Sequence, residues 1–177
     1  MMNTKNESDE VLYSTKEIIS ISGSDIEELK RLAQQNARKK IRICTHRKKS
    51  DLLHEMFIIH TNECYVRPHK HIKKVESISV LEGIADIVLF HDDGEIKKIT
   101  RVGPPSSGLA FYHKLDQPIY HTLLVRSDFF VFHEVTQGPF VSEETVFPSW
   151  APSVSQFSQH QFLEQIKRFE HISMRNE

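Results

Sequence analysis

Between residues 41 and 147 the apolar side chains fall into short runs that turn signals separate. The runs are rich in Val, Ile, Phe and Tyr and span residues 57–59, 78–81, 84–90, 122–125 and 129–132. Asp93-Gly94, which stands between two apolar segments, is the strongest hairpin signal. Short strands at regular spacing with no helical pattern between them are typical of an antiparallel sandwich or barrel. We therefore predict a mainly β, single-domain fold with its β region over residues 41–152.

A helical pattern precedes this β region. Ser24-Asp25-Ile26-Glu27 is a capping-box sequence, in which the serine oxygen and the glutamate satisfy the first free amides of a helix. Apolar residues then recur at helical spacing through Ala33. We predict an N-terminal helix over residues 23–40. A flexible tail is expected over residues 1–22, with a short strand or turn within residues 11–21.

The helical period returns after Pro152. Ser158-Gln159-His160-Gln161 is a second plausible cap, and a helical stripe follows at Phe162, Ile166 and Phe169. We predict a closing C-terminal helix over residues 153–177.

The composition argues against several classes of function. The 177 residues carry 23 Lys and Arg against 24 Asp and Glu, and a net charge of −1 gives no bias toward nucleic acid or anionic membranes. No apolar run approaches the ~18 residues that a membrane span needs. The first residues lack the basic-then-apolar order of a signal peptide, and two cysteines, Cys44 and Cys64, suit a reducing compartment. We expect a soluble cytoplasmic protein with no nucleic-acid or membrane partner.

The chain has 11 histidines, and two of them stand in an informative string. His69 and His71 are two residues apart, so on a strand both imidazoles project from one face. Glu76 lies beyond a short turn, where a neighbouring strand brings its carboxylate to the same point. Gly83 suits a tight turn at the end of that second strand. Two imidazoles and a carboxylate from adjacent strands form a ligand set for a divalent transition metal.

This string resembles the first motif of the cupin superfamily, G-x5-H-x-H-x4-E-x6-G. It runs from His69 to Gly83 with the spacing of the family, and Glu63 stands in place of the first glycine, which is not a ligand. The resemblance implies a cupin domain, which is an antiparallel β-barrel or jelly roll. It also implies that His69, His71 and Glu76 ligate one divalent metal, either Fe, Mn, Zn or Ni.

The second cupin motif supplies a fourth ligand from a later strand. The candidate is His121, because the strand-like run Thr-Leu-Leu-Val follows it, as in the family. Asp116, Pro118 and Val125 depart from the pattern of that motif. His113 is the competing residue, although no such run follows it.

A closer resemblance covers roughly residues 24–152. The segments 65–71, 130–140 and 150–152 are similar to those of the WbuC-type cupin metalloproteins. Arg42 and His46 match upstream positions of the same pattern, with Cys44 where asparagine is expected. That family is associated with bacterial O-antigen and other surface-polysaccharide gene clusters, and its reaction is not established. The resemblance implies a homodimer formed through an outer sheet face.

Three further residues are catalytic candidates. Arg67 shares strand parity with the two histidines, so its guanidinium could hold an anionic substrate group at the barrel mouth or point to solvent. Tyr65 has the same parity and is either a core residue or a catalytic one. Glu134 lies in an apolar run and could orient a ligand histidine or act as a general base. His133 is expected to point to the opposite face from Glu134, so at most one of the two reaches the site. Tyr120 is expected to point away if the strand is regular.

A basic segment over residues 38–49 has two interpretations. It is either a surface for a phosphate group, as in a nucleotide-sugar, or for nucleic acid, which the near-zero net charge disfavours, or it is a solvated helix end followed by a loop.

We therefore hypothesise a metal-dependent enzyme, an isomerase, epimerase or dioxygenase, that acts on a small sugar-like or anionic molecule. The alternative is a non-catalytic cupin module that binds metal or sugar, since a fold does not determine a function.

Overall fold

The computed structural model describes residues 3–153 and 161–166, and β-strands are the main regular element of the described part. One helix, α1 (Gly23–Gln35), precedes most of the strands. The strands are, in chain order, β1 (Thr4–Ser8), β2 (Val11–Ser14), β3 (Lys40–Cys44), β4 (Leu53–Thr61), β5 (Lys70–His71), β6 (Glu76–Glu82), β7 (Ala85–Phe90), β8 (Ile96–Val102), β9 (Tyr112–Leu115), β10 (Tyr120–Val125), β11 (Phe129–Gln137) and β12 (Thr145–Val146).

These strands form three separate sheets. A seven-stranded sheet has the order β1-β2-β3-β4-β11-β6-β9, a three-stranded sheet has the order β10-β7-β8, and β12 pairs with β5. The mainly β prediction is confirmed, but the predicted barrel is not closed. The two larger sheets instead enclose a common core, to which β4, β6 and β11 contribute from one side and β7 and β10 from the other.

The N-terminal segment is more ordered than the flexible tail expected over residues 1–22, because it contains β1 and β2. Strand β2 pairs in parallel with β3, and α1 makes the connection between them. A parallel pair needs such a crossover, which a tight hairpin cannot supply. The large sheet is therefore not purely antiparallel.

The helix α1 spans Gly23–Gln35, which is shorter than the predicted range of 23–40, and its capping box differs from the predicted one. Its N-cap is Ser22, whose side chain accepts from the Asp25 amide while the Asp25 carboxylate accepts from the Ser22 amide. The capping box therefore lies two residues before the predicted Ser24. At the other end Asn36 caps the helix, and its side chain bonds the backbone of Lys40.

Successive side chains along a strand point to opposite faces of its sheet, and this alternation produces three packing layers. Leu29 and Ala33 of α1 pack against one face of the large sheet, on Ile41, Ile43 and Ile59. The opposite face of that sheet lines the core between the sheets. The outer face of the small sheet packs against Trp150 and the helical residues 161–166. The rest of the predicted closing helix lies outside the described residues. No helix in residues 3–153 or 161–166 is long and apolar enough to span a membrane.

Two predicted turns are confirmed. Strands β7 and β8 form an antiparallel hairpin, with Gly94 at a φ of +96° in the turn. Gly83 connects β6 and β7 at a φ of +82°. A Cβ at Gly83 would overlap the carbonyl oxygen of Phe129 and would lie 2.6 Å from Ser127 Oγ.

The G83A variant should therefore be less stable than the wild type by about 3 kcal/mol, because it adds a backbone clash to the left-handed strain. Gly108 is the matched control, since its φ is +75° and a Cβ added there would have no neighbour within 4 Å. We expect G108A to lose only about 1 kcal/mol in denaturant unfolding. Equal losses of stability in both variants would mean that the clash with the Phe129 carbonyl oxygen does not contribute.

Candidate metal centre

The four predicted metal ligands meet where the sheets join. His69 precedes β5, His71 ends it, Glu76 begins β6 of the large sheet and His121 lies in β10 of the small sheet. His69 and His121 exchange two backbone hydrogen bonds, with N···O distances of 3.1 and 2.9 Å. This bridge draws the His69–His71 segment onto the small sheet.

The side chains converge on one point. One ligand nitrogen from each of His69, His71 and His121 lies within 4.8 Å of the others. Glu76 Oε1 lies 2.8 Å from His121 Nε2, and Glu76 Oε2 lies 3.2 Å from His71 Nε2. The structure therefore brings all four residues together, whereas the competing His113 is not one of the three clustered histidines.

Hydrogen bonds at the far side of the rings orient the imidazoles. His69 Nδ1 lies 2.8 Å from the Arg67 carbonyl oxygen, and His121 Nδ1 lies 3.0 Å from the Ile119 carbonyl oxygen. Because a carbonyl only accepts, each Nδ1 must carry a proton, which leaves Nε2 as the ring nitrogen that faces the other candidate ligands. This is the arrangement that metal-binding histidines show. His71 Nδ1 lies 3.1 Å from the hydroxyl of Thr145 in β12.

The electrostatics of these residues favour a cation at the point where they meet. Burial lowers the pKa of His69 to about 3, and the neighbouring His121 adds to this effect. Burial alone would raise the pKa of Glu76, but hydrogen bonds from His121 and His71 hold it well below its ordinary value. The same burial would lower the pKa of His121, and Glu76 raises it instead. Protons on the histidine Nε2 atoms satisfy the Glu76 carboxylate here, and a divalent metal that replaced these protons would meet a carboxylate oxygen and imidazole nitrogens, a donor set that fits it.

Glu134 lies on the cavity face of β11, next to this cluster. Burial and the Glu76 carboxylate raise its pKa to about 7. A carboxyl group with a pKa near neutrality is suited to general acid–base chemistry. His133 lies on the opposite face, packed against Phe57 and 3.6 Å from Glu55, as expected.

Arg67 lines the cavity, but its guanidinium also contacts the chain that follows β12. It stacks 4.8 Å from the Phe147 ring centroid and donates from Nη2 to the Ala151 carbonyl oxygen at 3.3 Å. Its buried Nε has no hydrogen-bond partner among the described residues. Arg67 therefore positions this segment beside the site and keeps one donor uncommitted.

The structure places Tyr65 away from the cavity, so the prediction of a catalytic role for it is not supported. Its hydroxyl donates to the Pro152 carbonyl oxygen at 3.0 Å, and its ring packs edge-on against Phe162. Residues 65–69 do not form a regular strand, so parity with His69 does not hold there. Tyr120 points away as expected and packs against Trp150.

A cavity of about 820 Å³ connects the metal centre with the inner face of the large sheet. Its volume suits a small molecule. Arg42 and His46 both line it, as does His113, the competitor of His121. His54 and His60 also line it, although neither was predicted as a site residue. The sequence pattern could have placed His54 and His60 on the inner face of the sheet, because they alternate in phase with Met56 and Ile58 along β4.

Comparisons with known proteins agree with this β architecture. Residues 21–102 match a family described as a domain of unknown function (DUF6016). No curated protein matches the chain. A crystal structure of a protein from Shewanella oneidensis is similar with a TM-score of 0.53 at 9% identity, over 72% of this chain and 85% of that one. This likeness shows a shared fold.

Two further structural matches have TM-scores below 0.5. Oxalate decarboxylase from Bacillus subtilis has a TM-score of 0.44 at 18% identity, over 55% of this chain and 24% of that one. A sugar phosphate isomerase of the cupin superfamily from Silicibacter pomeroyi has a TM-score of 0.39 at 17% identity, over 50% and 52%. The chain thus spans about a quarter of the first protein and half of the second.

The raised pKa of Glu134 predicts how stability changes with pH. Because this pKa rises from 4.5 to about 7 on folding, the folded state keeps a proton that the unfolded state releases between these values. The wild type should therefore lose stability relative to E134Q as the pH rises from 4.5 to 7, with no further loss above. Denaturant unfolding at several pH values measures this difference. The exposed Glu95 provides the control E95Q, and a wild-type-to-E134Q difference that stays constant with pH would contradict the assignment.

Proposed function

We propose that this protein is a metal-binding cupin whose metal is held by His69, His71, Glu76 and His121. The observation that carries the proposal is the convergence of three imidazole nitrogens within 4.8 Å, with both Glu76 oxygens against two of them. The motif spacing from His69 to Gly83 and the carbonyl-bound Nδ1 atoms support the same assignment. A divalent ion bound here would act as a Lewis acid toward a ligand in the cavity.

The cavity and Glu134 support an enzyme that acts on a small molecule. The Glu134 carboxyl, with its pKa near 7, can hold or release a proton beside the metal centre. Arg67 holds the segment that flanks the site, and its Nε can donate to an anionic ligand. The isomerase or epimerase class needs such a proton-transfer group. The resemblance to WbuC-type cupins supports a carbohydrate-derived substrate of surface-polysaccharide biosynthesis.

Metal analysis of purified protein tests the site directly. We expect about one Fe, Mn, Ni or Zn per chain, and loss of this metal in H69A and H121A. H113A is the matched control, because His113 lines the same cavity without belonging to the histidine cluster. Elemental analysis of all four proteins, with thermal unfolding to confirm folding, provides the readout. Full metal content in H69A would overturn the ligand assignment.

Ligand turnover separates an enzyme from a binding module. Sugar phosphates and nucleotide-sugars are incubated with the metal-loaded protein and followed by mass spectrometry and by proton exchange with deuterated water. An enzyme of the proposed kind changes a ligand or exchanges one of its protons, and E134Q slows this by about 100-fold or more. Binding of a ligand that neither reacts nor exchanges would favour the non-catalytic module.

A further inference from the structure

The cavity continues beyond the metal centre to the N-terminal side of the large sheet. Along β3, alternate residues face the cavity, whereas Ile41 and Ile43 face α1. The cavity-facing residues of β3 are Lys40, Arg42 and Cys44. Four cations of the basic segment over residues 38–49 line the cavity, and Lys40 and Arg42 are the two that β3 contributes.

His60 lies directly beside these cations. The antiparallel register pairs Lys40 with His60. It pairs Arg42 with Ile58, which lies two residues before His60 in β4. Paired residues on one sheet face have Cβ atoms about 5 Å apart, and diagonal neighbours remain within reach of long side chains. Lys40, Arg42 and His60 therefore form one group on the cavity wall.

This end of the cavity has an excess of positive charge. Glu10 is the carboxylate that faces the group, at 3.8 Å from Lys40 Nζ and 3.4 Å from Arg38 Nε. Arg38 and Lys40 thus share one anion, and Arg42 is a third cation beside Lys40 on the same strand face; Glu134 is a further carboxylate within electrostatic reach of Lys40 and Arg42. Arg42 forms no ion pair within the described residues. The Lys40 ammonium is largely shielded from solvent, and this burial lowers its pKa. An anion entering the cavity would meet two positive charges that Glu10 does not balance.

His60 offers a hydrogen-bonding group that the protein itself does not use. It is only 6% exposed, and its Nδ1 has no hydrogen-bond partner among the residues that the structure describes. Its ring packs edge-on against Phe132, with centroids 5.4 Å apart. Burial, with the charges of Lys40 and Arg42, lowers its pKa to about 3, so the ring is neutral. Buried polar atoms without partners are rare in native proteins, and a bound ligand is one explanation for them.

We propose that Lys40, Arg42 and His60 form an anion-binding subsite for a carboxylate or phosphate group. The arginine fork suits two-point binding of either oxyanion, and the neutral imidazole adds a third donor. The strand spacing places the Cα atoms of Arg42 and Glu134 about 12 Å apart across β4. A small molecule can span that distance, with its anionic group on this subsite and its reactive part at the metal centre. The placement of the reactive part at the metal centre rests on the proposed function, whereas the anion-binding subsite does not.

Titration calorimetry with inorganic phosphate and with malonate tests the subsite. Both probes are titrated into metal-loaded protein and into protein stripped with EDTA, so that binding to the metal is separated from binding to the cations. The variants are R42Q and H60F, with K40Q as a third if either fails to fold. The control is R47Q, which removes a cation of the same basic segment that does not line the cavity.

We expect stripped protein to bind at least one of the probes, and R42Q and H60F to weaken that binding about tenfold or more. R47Q should leave the affinity unchanged. The better probe identifies the anionic group as phosphate or carboxylate. Equal weakening by R47Q, unchanged affinity in R42Q, or no binding to the wild type at roughly 10 mM would overturn the subsite. Because metal content is measured separately, a wild type without metal would refute the proposed function and leave this test intact.

Discussion

The Glu76 carboxylate lies between two imidazoles at the junction of the two larger sheets, and the arrangement of the site depends on this contact. Its oxygens lie 2.8 Å from His121 Nε2 and 3.2 Å from His71 Nε2. The three residues come from three different sheets, so the contact depends on how those sheets meet. A buried carboxylate is stable only when positive charge or hydrogen-bond donors surround it. The requirement for such a partner explains why the Nε2 atoms of His71 and His121 face this carboxylate, and a divalent cation that replaced their protons would satisfy the same groups.

The same contact shapes the chemistry of the neighbouring groups. The negative charge of Glu76 adds to burial in raising the pKa of Glu134, while Arg42 and Lys40 act in the opposite direction. The cavity therefore has carboxylates at the metal centre and cations at its far end. This polarity would orient an anionic ligand along the large sheet, because the ligand is attracted to one end and repelled from the other.

Much of the site could be predicted from local sequence. The spacing from His69 to Gly83 selected three of the four residues that converge and the turn, and Gly83 has the positive φ that the turn required. Tyr65 was misjudged because the parity argument assumes a regular strand, and β5 contains only Lys70 and His71. The phase of His60 with Met56 and Ile58 places it on the core face of β4, but only the pairing with β3 shows that Lys40 and Arg42 lie beside it.

The sequence by itself determined the mainly β class, the β7–β8 hairpin and the metal-ligand motif, since each depends on residues close together in the chain. Only the tertiary structure decided that the sheets do not close into a barrel and that β1 and β2 extend the large sheet. It also decided that Lys40 and Arg42 share a cavity with His121. These features depend on pairing between distant strands, such as β3 with β4 and β4 with β11. The side chains that meet in a cavity follow from register and sheet order, which local periodicity does not specify.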